Sequence, residues 1–352
     1  MTHVSFHFHS LHIYHREQLT LTVPFQAASM ARLDVTETFH NIAFPGHLHT
    51  QESLHYAVNF QFQDTDTLIV SYPKSGTTWM QQILTLLYSQ GDETVSRTVP
   101  NWARAPWLEQ YYFPKVLEML KEPRIITTHL PYHLLAPVLE GSKAKVIYVA
   151  RNPKDVAVSF YHFHKMANFL PDPKSFEEFL EHFLEGTVNY GSWFDHVKGW
   201  TSSGRNNLNF LYITYEEMWE DLEGSLEKIS TFLHRPLMLG DMQKIQKHCT
   251  FTSMSKNPMV NYTTVDKEIM DHSKGQFMRK GKVGDWKSTF TPEQNQRFEN
   301  IFSSKMKNSH LKFTWYIQSD QSSQWRNPPL FWPPKSQNST FRANGCCADT
   351  SV

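Results

Sequence analysis

Cysteine is scarce in this chain: only Cys249, Cys346 and Cys347 occur in 352 residues. Three thiols form neither an even disulfide framework nor a zinc-ligand spacing, which points to a reducing compartment. Excess charge is missing as well. Lys plus Arg and Asp plus Glu stand at 34 each, so nothing draws the chain as a whole to nucleic acid or to an anionic membrane surface. Any anion site has to be local. No apolar run approaches the ~20 residues of a membrane helix, and stretches such as Val146 to Ala150 are strand-sized. The expectation is a cytoplasmic protein with no nucleic-acid or membrane partner, long enough for a sizeable core.

Both ends differ in composition from the middle. Residues 1–37 read as a disordered leader in which His3, His7, His9, His12 and His15 recur among apolar residues. A metal-binding tract and an unstructured leader both fit those histidines, and Met30 is an alternative start. Residues 316–352, rich in Ser, Gln, Asn and Pro, read as a disordered tail, leaving 38–315 as a single domain.

Within 38–315, strand-like and helical patterns alternate without an internal repeat. Leu68 to Val70, Arg124 to Thr128, Lys145 to Ala150 and Phe210 to Thr214 are short apolar runs, each followed by helical spacing. The alternation predicts an α/β fold, a central parallel β-sheet flanked by helices on both faces. Ligands of such sheets bind beyond the carboxyl ends of the strands, so chemistry is sought in the residues directly after each run.

After the first run comes Tyr72-Pro73-Lys74-Ser75-Gly76-Thr77-Thr78-Trp79. Gly76 frees the backbone, and Thr77 or Thr78 is suited to cap a helix through Trp79, Met80, Ile83, Leu84 and Leu87. A strand, a loop with Lys74 and three hydroxyls, and a helix N-terminus make a phosphate cradle. Lys74 precedes the single glycine, so the two-glycine nucleotide-triphosphate loop does not apply. After the second run stands His129, where a neutral imidazole can take a proton from an attacking hydroxyl or amine. After the third come Arg151-Asn152-Pro153-Lys154-Asp155 and a helix carrying Ser159, with Asn152 placed to cap it and Pro153 at its first position. Eight residues of helix separate Arg151 from Ser159 by roughly 12 Å, so a joint site requires Arg151 to fold back. After the fourth stands Tyr215. Further on, Arg279, Lys280, Lys282 and Lys287 surround Gly281 and Gly284, a second candidate anion site just before a helical segment from Thr291 with Pro292 in its first turn.

Together, the Lys74 loop, the Arg151 turn with Ser159, and Arg279-Lys280-Gly281 with Gly284-Asp285-Trp286-Lys287 resemble the signature regions of cytosolic sulfotransferases, in the family's order. The resemblance extends over about residues 38–315. It implies a P-loop-kinase-like sulfotransferase fold and transfer of a sulfuryl group from 3'-phosphoadenosine 5'-phosphosulfate (PAPS) to a hydroxyl or amine, without a metal. 3'-Phosphoadenosine 5'-phosphate (PAP) is then released. By the same resemblance, Lys74, Ser75, Gly76, Thr77 and Thr78 hold the 5'-phosphosulfate, and Arg151, Ser159, Arg279, Lys280 and Gly281 hold the 3'-phosphate. Trp79 and Phe251 flank the adenine, with Tyr215 and Met254 close by. His129 is the general base, with Lys74 and Ser159 assisting catalysis, and Ser75 is the residue expected to hold Lys74 back until the acceptor arrives.

The acceptor pocket implied is Trp102, Thr127, His129, Phe163, Ala167, Tyr262 and Ile269, apolar and aromatic, suited to a phenol first and an aryl amine or steroid next. Three positions depart from the family pattern. Thr127 replaces a lysine, Cys249 replaces a threonine beside the adenine, and the dimer motif is degenerate at Lys287, Thr291-Pro292 and Gln296, which places the usual homodimer in doubt. A catalytically silent PAPS-binding relative is the alternative. A nucleotide kinase ranks below it, since neither the two-glycine loop nor a magnesium carboxylate after a strand is present.

Overall fold

The computed structural model describes residues 33–204 and 209–317. Residues 1–32 of the expected leader and the tail from 318 on lie outside the described residues, whereas 33–37 are described and Thr36 and Glu37 belong to a strand, so the ordered chain begins before the expected boundary at 38. The described residues through Trp315 form one compact unit.

A short antiparallel hairpin opens this unit, β1 (Thr36–Phe39) and β2 (Ile42–Pro45), an element absent from the strand pattern expected from the sequence. His40 and Asn41 take positive φ at its two-residue turn, as the twist of a tight hairpin demands. The central sheet contains β3 (Thr67–Ser71), β4 (Ile125–Thr128), β5 (Lys145–Ala150) and β6 (Phe210–Thr214). Their order is β4-β3-β5-β6 and every pairing is parallel. The expected sheet is therefore present.

Alternate residues of one strand feed two separate cores. Leu68, Val70, Val146 and Tyr148 enter one apolar cluster with Ala157, Phe160 and Leu134, whereas Ile69, Ile147, Val149 and Ile213 enter another with Met80, Ile83, Leu226 and Ile229. Side chains on a strand alternate sides, so each cluster marks one face of the sheet, and helices cover both. Leu68, Ile69 and Val70 are fully buried. Each such side chain contributes about 1.5–3 kcal/mol.

Register sets where the strands end. Ser71 pairs with Val149, Val70 with Thr128, and Ala150 with Thr214. The segments beginning at Tyr72, His129, Arg151 and Tyr215 consequently leave the sheet along one edge.

Candidate active site

At that edge the chain turns from β3 into the Thr77–Tyr88 helix. Neither threonine caps it. The N-cap is Gly76 at φ 103°, with no side chain on the first-turn N–H groups. Thr77 is already helical, and its hydroxyl pairs with that of Ser71 at 2.6 Å, while the Thr78 hydroxyl bonds the Tyr262 phenol. The cradle therefore offers backbone donors and the Ser75 hydroxyl rather than three free hydroxyls. Ser75 Oγ is buried with no hydrogen-bond partner among the described residues. A Cβ on Gly76 would approach Tyr215 Cδ2 to 2.9 Å, so a glycine is required both for space and for its left-handed conformation.

Lys74 stands in the same loop at φ 68°. Burial lowers its ammonium pKa to about 7, assisted by the charges of Arg151 and Arg279. Its Nζ faces the rings of Phe163 and Phe277. Ser75 Oγ makes no hydrogen bond to that ammonium in this arrangement.

His129 is buried beside Trp107, ring centroids 4.4 Å apart, and Tyr190, at 5.2 Å. Its Nδ1 lies 2.5 Å from the Ser71 carbonyl oxygen. A carbonyl can only accept, so Nδ1 carries the proton and Nε2 the lone pair. Burial lowers the imidazole pKa to about 3 against the opposing Ser71 bond, with His196, His49 and Lys74 pushing the same way. The backbone of His129 is also pinned. Its N–H donates to Glu109 Oε1 at 2.8 Å, and its carbonyl accepts from His196 Nε2 at 3.1 Å. Glu109, whose carboxyl is raised to about 7 by burial, went unnoticed in the sequence because it lies on a loop with no periodic or spacing signal.

Arg151 leaves β5 just ahead of the Pro153–Met166 helix, on which Ser159 sits partly exposed. The guanidinium lies over the Tyr215 ring at 4.2 Å and donates to the carbonyls of Lys74 at 3.2 Å and Lys282 at 3.0 Å. It joins the two proposed anion loops. Asp155, in the first turn of that helix, accepts from the backbone of Gly284 at 2.7 Å and Trp286 at 2.9 Å. Asn152 caps the helix as its sequence position predicted, accepting from Asp155 N, and its own N–H donates to Glu216 Oε1 at 2.9 Å.

In the basic loop, Arg279 and Lys280 both pair with Asp285 at 2.7 Å, so two of the four cations already share a carboxylate. Gly281 takes φ 62°, and a Cβ there would collide with Phe251 Cδ2 at 2.2 Å. Trp79 meets Tyr215 edge-on at 5.3 Å. Met254 is buried in the apolar cluster below them. Cys249 is fully buried too, and burial raises its thiol pKa.

Of the acceptor residues, Phe163 and Tyr262 both pack on Phe277, at 5.8 and 4.3 Å. Ala167 bridges to Met270 beside the partly buried Ile269. Trp102 packs on Tyr112 at 5.8 Å. Thr127 differs from the expectation of an acceptor contact. It is fully buried, with its hydroxyl donating to Ala105 O at 2.9 Å and accepting from Gln81 Nε2 at 3.0 Å. Both capacities of that oxygen are engaged in the frame behind the site.

The residues present suit a ligand with several anionic groups. Buried donors without acceptors among the described residues, Ser75 Oγ, Arg151 Nε and Arg279 Nε, belong to the loops that converge here, and such donors are costly unless an anion completes them. Among the described residues no cluster of His, Cys, Asp and Glu side chains has the makings of a metal site, and no helix is long and apolar enough to cross a membrane.

Comparison with known proteins agrees with this geometry. Residues 64–310 match the family profile described as the sulfotransferase domain. The chain is 44% identical to human sulfotransferase 2B1 over 270 residues, 76% of this chain and 74% of that protein. It is 46% identical to dog sulfotransferase 1A1 over 267 residues, 74% and 90% of the two chains. Among solved structures, mouse sulfotransferase SULT7A1 complexed with PAP superposes with a TM-score of 0.64 at 33% identity, covering 78% of this chain and 96% of that one. Retinol dehydratase in a complex with retinol and PAP superposes with a TM-score of 0.67 at 25% identity, covering 78% and 89%.

Proposed function

Since the chain belongs to the cytosolic sulfotransferase family and is a PAPS-dependent sulfotransferase, we propose that it sulfates the hydroxyl of a small apolar acceptor, a phenol first, with His129 as general base. PAPS supplies the sulfuryl group and leaves as PAP. His129 Nε2 takes the proton from the acceptor hydroxyl as that oxygen becomes a nucleophile. The observation that carries this reading is the Nδ1 contact to Ser71 O, which holds the imidazole in the tautomer with a basic Nε2.

Lys74 and the uncapped N–H groups of the Thr77–Tyr88 helix supply positive potential where charge builds on the leaving phosphate oxygen. Ser75, Gly76, Thr77 and Thr78 would hold the 5'-phosphosulfate and Arg151, Ser159, Arg279, Lys280 and Gly281 the 3'-phosphate. Trp79, Phe251, Tyr215 and Met254 would form the adenine side. The aromatic neighbours of His129, Trp107 and Tyr190, together with the aromatic residues Phe163 and Tyr262 proposed for the acceptor pocket, favour a planar neutral acceptor. The protein would work in the cytoplasm, as the family does, and the degenerate dimer motif favours a monomer.

The test offers simple phenols, aryl amines and hydroxysteroids, with PAPS, to the protein and to His129→Ala, reading PAP formation. Acceptor-dependent PAP from the wild type alone, fastest with phenols, supports the reading. Equal turnover by His129→Ala removes the base, and a preference for hydroxysteroids removes the phenol assignment.

A further inference from the structure

The ammonium of Lys74 is enclosed by aromatic rings. Its Nζ lies 4.1 Å from the centroid of Phe163 and 4.1 Å from that of Phe277. The two rings stand 5.8 Å apart with their planes at 76°, so they form adjoining walls. The cation therefore meets two electron-rich faces instead of a carboxylate. Each wall is braced from behind. Phe163 packs on Phe169 at 6.0 Å, and Phe277 on Tyr262 at 4.3 Å, whose hydroxyl accepts from Asn101 Nδ2 at 2.9 Å.

The position of each wall in the chain matters. Phe163 lies on the Pro153–Met166 helix and belongs to the proposed acceptor pocket. Phe277 comes two residues before Arg279, in the segment proposed to hold the 3'-phosphate. The lysine is thus parked between acceptor-side and cofactor-side elements, and the residue first expected to restrain it, Ser75, has no hydrogen-bond partner among the described residues.

We propose that Phe163 and Phe277 are positioning residues that hold the Lys74 ammonium in a cation–π cage, and that an aromatic acceptor settling against Phe163 releases the lysine toward the phosphosulfate loop. This rests on the reading of Lys74 as the group that stabilises the leaving oxygen. A ring face accommodates one partner at a time, so a planar acceptor and the ammonium compete for Phe163. The cage restrains the uncoupled reaction, in which a water oxygen attacks sulfur, the sulfur–oxygen bond to the phosphate breaks, and sulfate, PAP and protons from that water are released. Acceptor binding removes the restraint when the productive nucleophile is in place.

Two readouts test the cage. In cofactor-free protein labelled with ¹³C at lysine Cε, the Lys74 resonance is identified by its loss in Lys74→Met. Ring currents from two faces displace its protons upfield of the other lysines; Phe277→Leu and a saturating simple phenol each return them toward the ordinary position. In PAPS-loaded protein without acceptor, sulfate release rises about 5- to 30-fold in Phe277→Leu, the factor expected for losing one desolvated cation–π contact. Phe277→Tyr, which keeps the ring face, stays near wild type. Progressive fluorination of Phe277 weakens the face without changing its bulk and raises sulfate release in steps.

A Lys74 resonance at the ordinary position in the wild type, or sulfate release unchanged across the fluorinated series, overturns the cage. Loss of transfer in Lys74→Met alongside that flat series overturns the cage alone. Full acceptor-dependent transfer by Lys74→Met overturns the reading of Lys74 itself, and the cage's role with it.

Discussion

His129 Nδ1 reaches the carbonyl oxygen of Ser71 at 2.5 Å, tying the segment after β4 to the last residue of β3. The bond selects the tautomer, and burial keeps the ring neutral down to about pH 3. A base whose pKa is lowered is present in its active form above that value. The pH profile of kcat/KM should therefore show no acid limb from His129 between about pH 4 and 7. An acid limb near the ordinary histidine value, lost in His129→Ala, would contradict the environment described. His129→Ala itself should lower kcat by ~10²–10⁴-fold.

Lys74 acts in the opposite sense. Its ammonium is lowered to about 7, so the charged form is present below that pH and is lost as pH rises. In the free enzyme kcat/KM for PAPS should fall above about pH 7. Lys74→Arg should keep its charge and abolish that alkaline limb, at a reduced maximum rate because guanidinium geometry differs. An unchanged limb in Lys74→Arg would assign it to another group.

Asp155 links two distant parts of the sequence through the N–H groups of Gly284 and Trp286. Asp155→Ala leaves both donors without this acceptor, at ~1–3 kcal/mol each. KM for PAPS should rise at least ~10-fold with a smaller change in kcat, since the basic loop is released from the Arg151 turn. Initial-rate kinetics with unchanged KM would show that the loop keeps its place without Asp155.

Gly281 has room for hydrogen only. A methyl group there meets Phe251 at 2.2 Å in a left-handed backbone conformation, so Gly281→Ala should lower stability by ~1–3 kcal/mol. It should weaken PAP affinity further by shifting the ring proposed to face adenine. Thermal unfolding and calorimetric titration with PAP measure the two effects separately; wild-type values in both would mean that Phe251 yields freely.

Thr291 spends its hydroxyl within its own helix, accepting from Gln294 N in a reciprocal capping box, with Pro292 next in line. Together with the degenerate motif, this leads us to expect a monomer in sedimentation velocity at micromolar concentration. A tight dimer that Lys287→Glu dissociates would overturn that expectation.

Much of the frame was legible from local pattern alone. The apolar runs at Lys145 to Ala150 and Phe210 to Thr214 became strands with those bounds, because buried parallel strands must be continuously apolar. Asn152-Pro153 and Thr291-Pro292 started helices, because a cap amide or hydroxyl accepts from a backbone N–H only three residues on, and the proline that follows lacks the orphan N–H. The loop threonines were not legible in this way, since the Thr77 side chain, suited to capping, is drawn instead into a bond with Ser71 across the turn.

By itself, then, the sequence determined the four strands of the central sheet with the helices between them, the ends at which chemistry collects, and the family, but not the opening hairpin. Tertiary structure alone decided the tautomer of His129, the aromatic resting place of Lys74, the burial of Thr127 and the reach of Arg151 to two loops. Local pattern depends on neighbours within a few residues. Ser71 lies 58 residues from His129, and Lys282 lies 131 from Arg151. No periodicity encodes contacts at such separations, which arise only when strand register brings the loop ends to one edge and packing selects which side chains meet there.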